Sequence, residues 1–466
     1  MRFLKICRVF AKYNVFYKLT SHRNDILGKR LRLAFEELGL TFIKIGQILS
    51  MRYDLLPRKD CEELQQLLDN VNPLSLPVIY QIIEKEYGRP HSLVFKKFYE
   101  LPLGSASVSQ VHKAELFDGR LVAVKIKRPN VDYAFNKDIK IMMSVAKTVG
   151  AFVPVLRRVQ VTKLVKYFES WIQQDLNFPL EAINMQKIAD QYSFGQNKFR
   201  SDLGKGLFIR PHLELCTTNI IVMDFIDGIP MSRKEEILAN PAYNIEKSIK
   251  TYVSAAMRNW FRDDISHYLF QADPHLSNIL ALPGGDAANI DCGLISELSK
   301  KEGEQCRNLI IAVYLQDLKK VLRIATAMCG VNYEKYAPII QPDIEVYLSK
   351  TKSEGFGFWF LDFARIMVKN KIKFPLYLTT FGRTNVILDG LINTYFPEKT
   401  TLDIVGEELK RQAVWETWQN IKQADWLQLA YAVSEKIKQG PAIITEIIND
   451  PLGVISDIAR VIKTAA

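Results

Sequence analysis

"FQADPHLSNILALPGGDAANIDCG", from Phe270 to Gly293, places two Asp residues and an Asn beside short apolar runs. The pattern is typical of a loop, a short apolar strand, a second loop and a second strand, followed by Cys-Gly. Asp273 and Asn278 stand five positions apart in the first loop, and Asp291 follows the second strand. Carboxylate and amide oxygens are ligands that Mg²⁺ accepts in proteins. The stretch therefore predicts either a site that handles phosphate and magnesium or a polar turn between two strands.

A second β-rich segment lies upstream, in "SQVHKAELFDGRLVAVKIKRP". It predicts two strands joined at Asp118-Gly119, a dipeptide that suits a two-residue hairpin turn, with Pro129 ending the second strand. "VAVK" places Lys125 on the second strand, as in the V-A-I-K pattern whose lysine reaches the nucleotide in kinases. Taken alone, a lysine near a strand end is more often solvated.

The segment just before these strands is rich in small residues. "PLGSASVSQVH" contains Gly104, Ser105, Ala106 and Ser107, whose side chains would let backbone N–H groups approach phosphate. A loop of this kind is by itself more often an ordinary turn. Glu181, in the helical "LEAIN", is the candidate to pair with the strand lysine, and a surface glutamate is the alternative.

The order of these features along the chain is typical of proteins that transfer phosphoryl groups. Phosphoryl transfer uses a tight loop over the phosphates, a lysine, an acid that holds the lysine, and a D-x-x-x-x-N loop followed by a metal-binding Asp. Asp273 would position the acceptor or a water molecule, and Asn278 and Asp291 would hold magnesium. The sequence therefore predicts a site for ATP and Mg²⁺.

A helix is predicted from the recurrence of Leu31, Phe35, Leu38, Phe42, Ile45 and Leu49 at helical spacing. It carries Lys44, Gly46 and Gln47, and the lysine and glutamine share a face. A lysine that lies along an ordinary amphipathic helix is the alternative to a functional one.

Composition and charge limit the class of protein. The 466 residues are 48% hydrophobic, enough for two or three domains, and the six cysteines form no zinc or disulfide pattern, which fits a reducing compartment. No apolar stretch is long enough to predict a transmembrane helix. Basic runs studded with aromatic residues and zinc-finger spacings are absent from the sequence, so nucleic acid is not a predicted partner.

The basic start of the chain points to an anionic surface. Residues 1–32 carry nine Lys or Arg and one acid, within a net charge of +11. Lys5, Arg8 and Lys12 fall on one helical face and Phe3, Ile6, Cys7 and Phe10 on another, as in a helix that lies in a membrane interface. A solvated basic helix and a mitochondrial presequence are the alternatives.

With these residues in view, the chain resembles the UbiB family of atypical kinase-like proteins, also called aarF-domain-containing kinases, from Leu31 to Pro397. "KIGQILSMRYDLLP" is similar to its KxGQ motif, "GSASVSQVH" to its Ala-rich loop, and "ADPHLSN" to its catalytic loop. The resemblance gives Lys44, Gly46 and Gln47 a regulatory role, together with Asp175 and Asn177 in place of the family's ExD pair. By position it also places Met223 and Asp224 at the hinge that offers backbone groups to adenine.

The resemblance implies a two-lobed protein-kinase-like fold of the α+β class. Its expected parts are an N-terminal helical extension (1–100), a small β-rich lobe with a helical insertion (101–225), a helical lobe (226–400) and a helical tail (401–466). The implied function is an ATP- and Mg²⁺-dependent atypical kinase or ATPase that supports ubiquinone or other isoprenoid-lipid synthesis. Such a protein would be cytoplasmic, would lie peripherally on a membrane, and could meet lipid-biosynthesis enzymes there.

Two other functions stay open at this stage. The D-x-H-x-x-N form of Asp273, His275 and Asn278 is also similar to small-molecule kinases of the aminoglycoside and choline type. The catalytic loop also departs from the pattern that the resemblance implies, with Gln271 in place of His and Leu276-Ser277 in place of Pro-Gly before the Asn. Together with Asp175-x-Asn177, these changes favour a scaffold that nucleotide opens and closes with little hydrolysis.

Overall fold

A computed structural model shows how these segments are arranged. It describes residues 2–15, 27–50, 56–64, 66–67, 71–152, 161–194, 206–260, 265–406 and 409–410. Residues 411–466, the greater part of the predicted helical tail, lie outside the described residues. Within the described part, no helix is both long enough and apolar enough to cross a membrane.

The helices precede, connect and follow a set of short strands. The helices are α1 (Arg2–Lys12), α2 (Leu27–Leu38), α3 (Leu40–Leu49), α4 (Arg58–Leu64), α5 (Leu76–Tyr87), α6 (Val131–Phe152), α7 (Val161–Asp175), α8 (Phe178–Phe194), α9 (Lys234–Ala239), α10 (Ile245–Trp260), α11 (Lys300–Tyr314), α12 (Leu318–Met328), α13 (Tyr333–Glu354), α14 (Phe356–Lys369) and α15 (Leu376–Tyr395). The strands are β1 (Lys97–Ser105), β2 (Ser109–Glu115), β3 (Leu121–Lys127), β4 (Gly206–Phe208), β5 (Ile220–Asp224), β6 (Ile229–Pro230), β7 (His267–Gln271), β8 (Ile279–Ala281), β9 (Ala287–Asn289) and β10 (Ile295–Ser299).

The first lobe is built on an antiparallel sheet in the order β1-β2-β3-β5. One of its faces packs on α5 through Ile79 and Ile83, both 0% exposed. The other face joins a core shared with α1 to α3 and α6 to α8, in which Phe135 and Phe178 are buried. Alternating apolar residues on the two faces of the central strands make this double coverage possible.

The second lobe is mainly helical. Its core is shared by α10 to α15 and includes Trp359 and Phe363, whose rings stack at 5.6 Å. Two small sheets, β7 with β10 and β4-β9-β8-β6, carry the stretch quoted above. The arrangement confirms the predicted α+β class.

The helix predicted from Leu31 to Leu49 is interrupted at Gly39, so that prediction of one continuous helix was wrong. Gly39 has a φ of 83° and separates α2 from α3. Its N–H donates to Phe35 O, while its C=O accepts from Phe42 N-H, each at 2.9 Å. The apolar spacing continues across the break because both helices bury side chains in the same core. This spacing depends on which side chains are buried, so it does not predict the φ angle of a glycine between them.

The turn between β2 and β3 also differs from the prediction of a two-residue turn. Leu116 N–H donates to Arg120 O at 2.9 Å, which leaves three residues, Phe117 to Gly119, in the loop. Gly119 has a φ of 88°, whereas a type I′ turn would need positive φ at two positions. The glycine therefore serves as the left-handed residue of a three-residue hairpin.

The apolar runs in "GLFIRP" and "NIIVMDFIDG" predict a second strand pair, and in the structure only part of the first segment pairs with the second. Gly206–Phe208 pairs in parallel with β9 instead. The residues that follow reach β5, since Asp224 N–H donates to Arg210 O at 3.0 Å and His212 N–H to Val222 O at 2.8 Å. The segment thus links the sheets of the two lobes.

Candidate phosphoryl-transfer site

The strand lysine and the helix glutamate predicted to pair are in contact. Lys125 lies on β3 between two fully buried residues, and Glu181 lies in the first turn of α8. Lys125 Nζ donates to Glu181 Oε1 at 2.6 Å, and the glutamate side chain is 1% exposed. This contact fixes α8 against the sheet and holds the ammonium group at the edge of the site.

The predicted magnesium residues also lie together. Asn278 Nδ2 donates to Asp291 Oδ2 at 2.9 Å, and Gly293 N–H donates to Asp291 Oδ1 at 2.8 Å. Ile290 N–H donates to Asn278 O at 2.9 Å, so the two loops are joined by backbone as well. These hydrogen bonds fix the orientation of the Asp291 carboxylate.

Gly293 shows how closely the carboxylates converge. A Cβ on this residue would lie 3.2 Å from Asp291 Oδ1, 3.7 Å from Asp175 Oδ1 and 3.8 Å from Glu181 Cδ. The C-terminal residue of α7, the start of α8 and the Asp-Cys-Gly turn therefore meet at one point. A larger residue at position 293 would crowd three acidic side chains.

The excess of carboxylates shapes the protonation of the site. Burial, together with the negative charges of Asp291 and Asp175, raises the pKa of Glu181 to about 7 in spite of the nearby lysine. Burial alone would lower the pKa of Lys125, but the attraction of Glu181 and Asp291 outweighs it and raises that pKa. The cluster as a whole therefore favours added positive charge.

A divalent cation bound with nucleotide would fit this environment. Glu181 Oε2 is buried with no hydrogen-bond partner among the described residues, and Asp291 and Asn278 offer the hard oxygen ligands that Mg²⁺ prefers. No group of three or more His, Cys, Asp or Glu side chains in the described part could hold a metal ion by itself. Phosphate oxygens and water would have to complete the coordination.

Asp273 lies beside this pair on the loop that follows β7. Gln271 ties the two loops together, because its Nε2 donates to Asp291 O at 2.6 Å and to Asp273 O at 3.2 Å. The side chain of Asp273 is 37% exposed, and its Oδ1 lies 2.8 Å from Nη2 of Arg383 on α15. The predicted catalytic carboxylate thus stands near the metal-binding residues and carries a charged partner.

Of the three predicted regulatory residues on α3, one contacts the carboxylate cluster and two contact the N-terminal extension. Lys44 Nζ lies 3.1 Å from Asp175 Oδ2, which connects α3 to the carboxylate cluster. Gln47 Nε2 instead lies 3.5 Å from Leu67 O, and a Cβ on Gly46 would lie 2.2 Å from Leu67 Cδ1. Gly46 and Gln47 therefore pack α3 within the N-terminal extension.

Asn177 has a local structural role. Its Oδ1 accepts from Leu180 N–H at 3.0 Å, within the start of α8. Its side chain is exposed, and the contact that Lys44 makes in this region is with Asp175. Asn177 thus helps to fix the helix that carries Glu181.

The small-residue segment is more ordered than a simple loop. Gly104 and Ser105 belong to β1, and Ala106 N–H donates to Ser109 O at 2.8 Å. Arg128 holds the segment, since its Nε donates to Ala106 O at 2.8 Å and its Nη2 to Ser105 Oγ at 2.7 Å. Ser107 is fully buried. The segment is therefore fixed against the strand pair that carries the site lysine.

The predicted hinge residues Met223 and Asp224 lie on β5, and the amide of Asp224 is engaged. Met223 is opposite Ala123 in the sheet, and Asp224 N–H donates to Arg210 O at 3.0 Å. The next amide, that of Phe225, donates to Leu121 O at 3.2 Å. The N–H of Asp224 is therefore not available to adenine in this arrangement.

Three residues that contribute to the site were not among the predicted site residues. Arg128 holds the small-residue segment, Gln271 joins the loops that carry Asp273 and Asp291, and Arg383 contacts Asp273. Gln271 could have been found, because it stands only two positions before Asp273 in the segment quoted at the start. Arg383 is 110 residues from Asp273 and has no local signal in the sequence.

Comparison with known proteins identifies a family and several relatives of this chain. Residues 66–325, more than half of the chain, match the ABC1 atypical kinase-like domain. The probable protein kinase UbiB of Shewanella piezotolerans is 28% identical over 83% of this chain and 70% of its own length. That of Pasteurella multocida is 27% identical over 88% of this chain and 79% of its own length.

Two further proteins are similar to this chain. An uncharacterized protein in the hydrogenase 1 5′ region of Clostridium pasteurianum is 30% identical over 88% of this chain and 76% of its own length. Among solved structures, the complex structure of Rv3197-erythromycin from Mycobacterium tuberculosis has a TM-score of 0.47 at 19% identity, covering 76% of this chain and 91% of that one.

Proposed function

The chain belongs to the ABC1 atypical kinase-like family, and we propose that it is an ATP- and Mg²⁺-dependent kinase or ATPase. The family places it among kinase-like proteins, and relatives are named probable protein kinase UbiB. One observation supports the dependence on ATP and Mg²⁺. The Lys125–Glu181 ion pair lies within the same carboxylate cluster as Asp291, which is hydrogen-bonded to Asn278.

Each site residue has a role in this proposal. Lys125 would bind phosphate oxygens, and Glu181 keeps its ammonium group oriented. Asp291 and Asn278 would hold Mg²⁺, which supplies positive charge where negative charge builds up during phosphoryl transfer. Asp273 would orient the acceptor hydroxyl or a water molecule, and Gln271 holds its loop against that of Asp291.

The substrate and partner proposals rest on the family and on α1. We place the activity in ubiquinone or other isoprenoid-lipid synthesis, because the named relatives are UbiB proteins. The membrane face would be narrower than predicted, since Ile6 is buried and Phe10 packs on Phe35 and Phe42. Phe3 and Leu4 remain exposed, next to the exposed Lys5.

Thermal unfolding with and without Mg²⁺–ATP tests the nucleotide site. We expect Mg²⁺–ATP to raise the melting temperature of the wild-type protein, because a ligand that binds only the folded state stabilises it. Lys125→Ala and Asp291→Asn should each weaken binding about 10- to 100-fold, since each removes a charged contact worth about 1.5–3 kcal/mol. Lys97→Ala, which removes an exposed strand lysine, is the matched control and should bind as wild type.

The outcomes separate the candidate functions. A wild-type protein whose melting temperature does not respond to Mg²⁺–ATP would refute the proposal. Binding accompanied by ATP hydrolysis that Asp291→Asn abolishes would support an enzyme. Binding without hydrolysis would instead favour the nucleotide-gated scaffold, and phosphate transfer to a small polar alcohol would favour a small-molecule kinase.

A further inference from the structure

Arg383 is a buried cation next to the predicted catalytic carboxylate. It lies on α15 with its side chain 5% exposed, and its Nη2 is 2.8 Å from Asp273 Oδ1. Its guanidinium group also lies over the ring of Trp171, 4.7 Å from the centroid. Trp171 is on α7, the helix that ends at Asp175 in the carboxylate cluster. Arg383 thus connects the catalytic loop with the helix that carries part of the cluster.

The burial of the Arg383 guanidinium group is unfavourable for the stability of the fold. Its Nε, Nη1 and Nη2 atoms are buried, and none has a hydrogen bond of good geometry to any residue that the structure describes. An arginine has five N–H donors and cannot lose its charge, so burying it with a single ionic contact is unfavourable. A hydrophobic side chain of similar length at this position would remove that penalty. Fold stability therefore does not account for the arginine.

The position of Arg383 also limits how it could act. Its nitrogen atoms are sealed from solvent, so a ligand in the cleft does not reach them in this arrangement. Asp273, by contrast, is 37% exposed at its side chain. Nearby, α15 is fastened to the strand before the catalytic loop, because Thr384 Oγ1 donates to Gln271 O at 3.1 Å. Any effect of Arg383 on a substrate therefore passes through Asp273.

We propose that Arg383 is a positioning residue for Asp273. It takes up Oδ1 of the carboxylate and leaves Oδ2 to orient the acceptor, while the face of Trp171 keeps the guanidinium group in place. The position of Asp273 is thereby coupled to α7, and through Asp175 to Lys44 of α3. This inference rests on the proposed function, since it concerns the orientation of the acceptor in phosphoryl transfer.

Arg383→Met tests the role, with Arg383→Lys as the conservative variant. We expect Arg383→Met to keep or raise the melting temperature and to leave the KM for ATP unchanged. Its kcat should fall about a hundredfold, the loss that a small displacement of a catalytic group produces. Arg383→Lys, which retains the charge but not the planar group, should have an intermediate kcat. Arg365→Met is the matched control on α14, where the arginine is partly exposed and pairs with Asp362.

A double variant separates positioning from a purely structural role. If Arg383 acts through Asp273, Arg383→Met combined with Asp273→Asn should be no slower than Asp273→Asn alone. Multiplied losses would overturn the inference, and so would a normal kcat in Arg383→Met or a fall in its melting temperature that accounts for the lost activity.

The same measurements distinguish this inference from the proposed function. Failure of the wild-type protein to bind Mg²⁺–ATP would remove the proposed function itself. Wild-type binding without any turnover would overturn the role of Arg383 while leaving the nucleotide site in place.

Discussion

Burial and the charge of Lys125 act in opposite directions on the pKa of the Glu181 carboxyl group. One of its oxygens accepts from Lys125, the other has no hydrogen-bond partner among the described residues, and two more carboxylates lie nearby. A carboxyl group in such a place is easier to protonate than one in water. A bound cation would therefore stabilise the ionised form of Glu181, and the charge state of this residue should depend on whether a cation is bound.

The raised pKa of Glu181 predicts a pH-dependent stability. Because its pKa rises from 4.5 to about 7 on folding, the folded state binds this proton more tightly than the unfolded chain does. The free energy of unfolding should therefore fall as the pH rises through this window, by about 3 kcal/mol from this residue. Glu181→Gln should lack this component, which urea unfolding at pH 5 and pH 8 would measure.

An exposed glutamate on α7 provides the control. Glu169→Gln should keep the wild-type difference between the two pH values. A Glu181→Gln protein with the full wild-type pH dependence would show that the carboxyl group titrates as it does in water.

At the scale of elements, α3 is held by close packing more than by polar contacts. Gly46 lets Leu67 and Phe35 approach the helix backbone, and a Cβ at this position would lie 2.6 Å from Phe35 Cδ2. Gln47 reaches the carbonyl of the same Leu67. The residues of the Lys-x-Gly-Gln pattern therefore have different roles. Lys44 contacts the carboxylate cluster, whereas Gly46 and Gln47 hold α3 in place.

Two glycine-to-alanine variants in helices should have opposite effects. Gly46→Ala should destabilise the protein by about 1–3 kcal/mol, the usual cost of overpacking a close contact. Gly390→Ala on α15, where a Cβ would meet nothing within 4 Å, should stabilise it by about 0.5–1 kcal/mol. Urea unfolding of both variants measures the difference, and equal effects would contradict the close packing at Gly46.

At the scale of the whole molecule, α1 is docked on the body of the protein. Arg2 donates to both carboxylate oxygens of Asp138 on α6, at 2.8 and 2.6 Å, and also to Leu38 O at 3.0 Å. Ile6 and Val9 are buried beneath the helix. Membrane contact through α1 would then use its outer side without release of the helix.

Anionic vesicles test this membrane contact. Lys5→Glu combined with Arg8→Glu, two exposed changes on α1, should weaken binding by about 1 kcal/mol or more for each residue, because basic side chains are attracted to anionic lipid. Sedimentation with anionic and neutral vesicles measures the loss, and Mg²⁺–ATP binding should not change. Lys319→Glu combined with Lys335→Glu, both exposed in the second lobe, is the control pair. Equal loss in the two pairs would indicate a net-charge effect instead of a role for α1.

Much of the fold and site followed from local sequence. The change from helical to alternating spacing located β2 and β3, and the order of Lys125, Glu181, Asp273, Asn278 and Asp291 predicted residues that the structure brings into one region. The helix break at Gly39 and the three-residue loop at Gly119 were not predicted, because apolar spacing reflects burial and not the backbone conformation of a glycine.

The types and order of residues along the chain were enough to predict which side chains would carry the proposed chemistry, because both are local properties. The contacts that each of these side chains makes are set by the packing of the folded chain. Lys44 meets Asp175, the amide of Asp224 is taken by Arg210, and Arg383 reaches Asp273 across 110 residues of chain. These contacts depend on how separate helices and strands pack, and that packing is set by buried surfaces from distant segments that no short stretch of sequence contains.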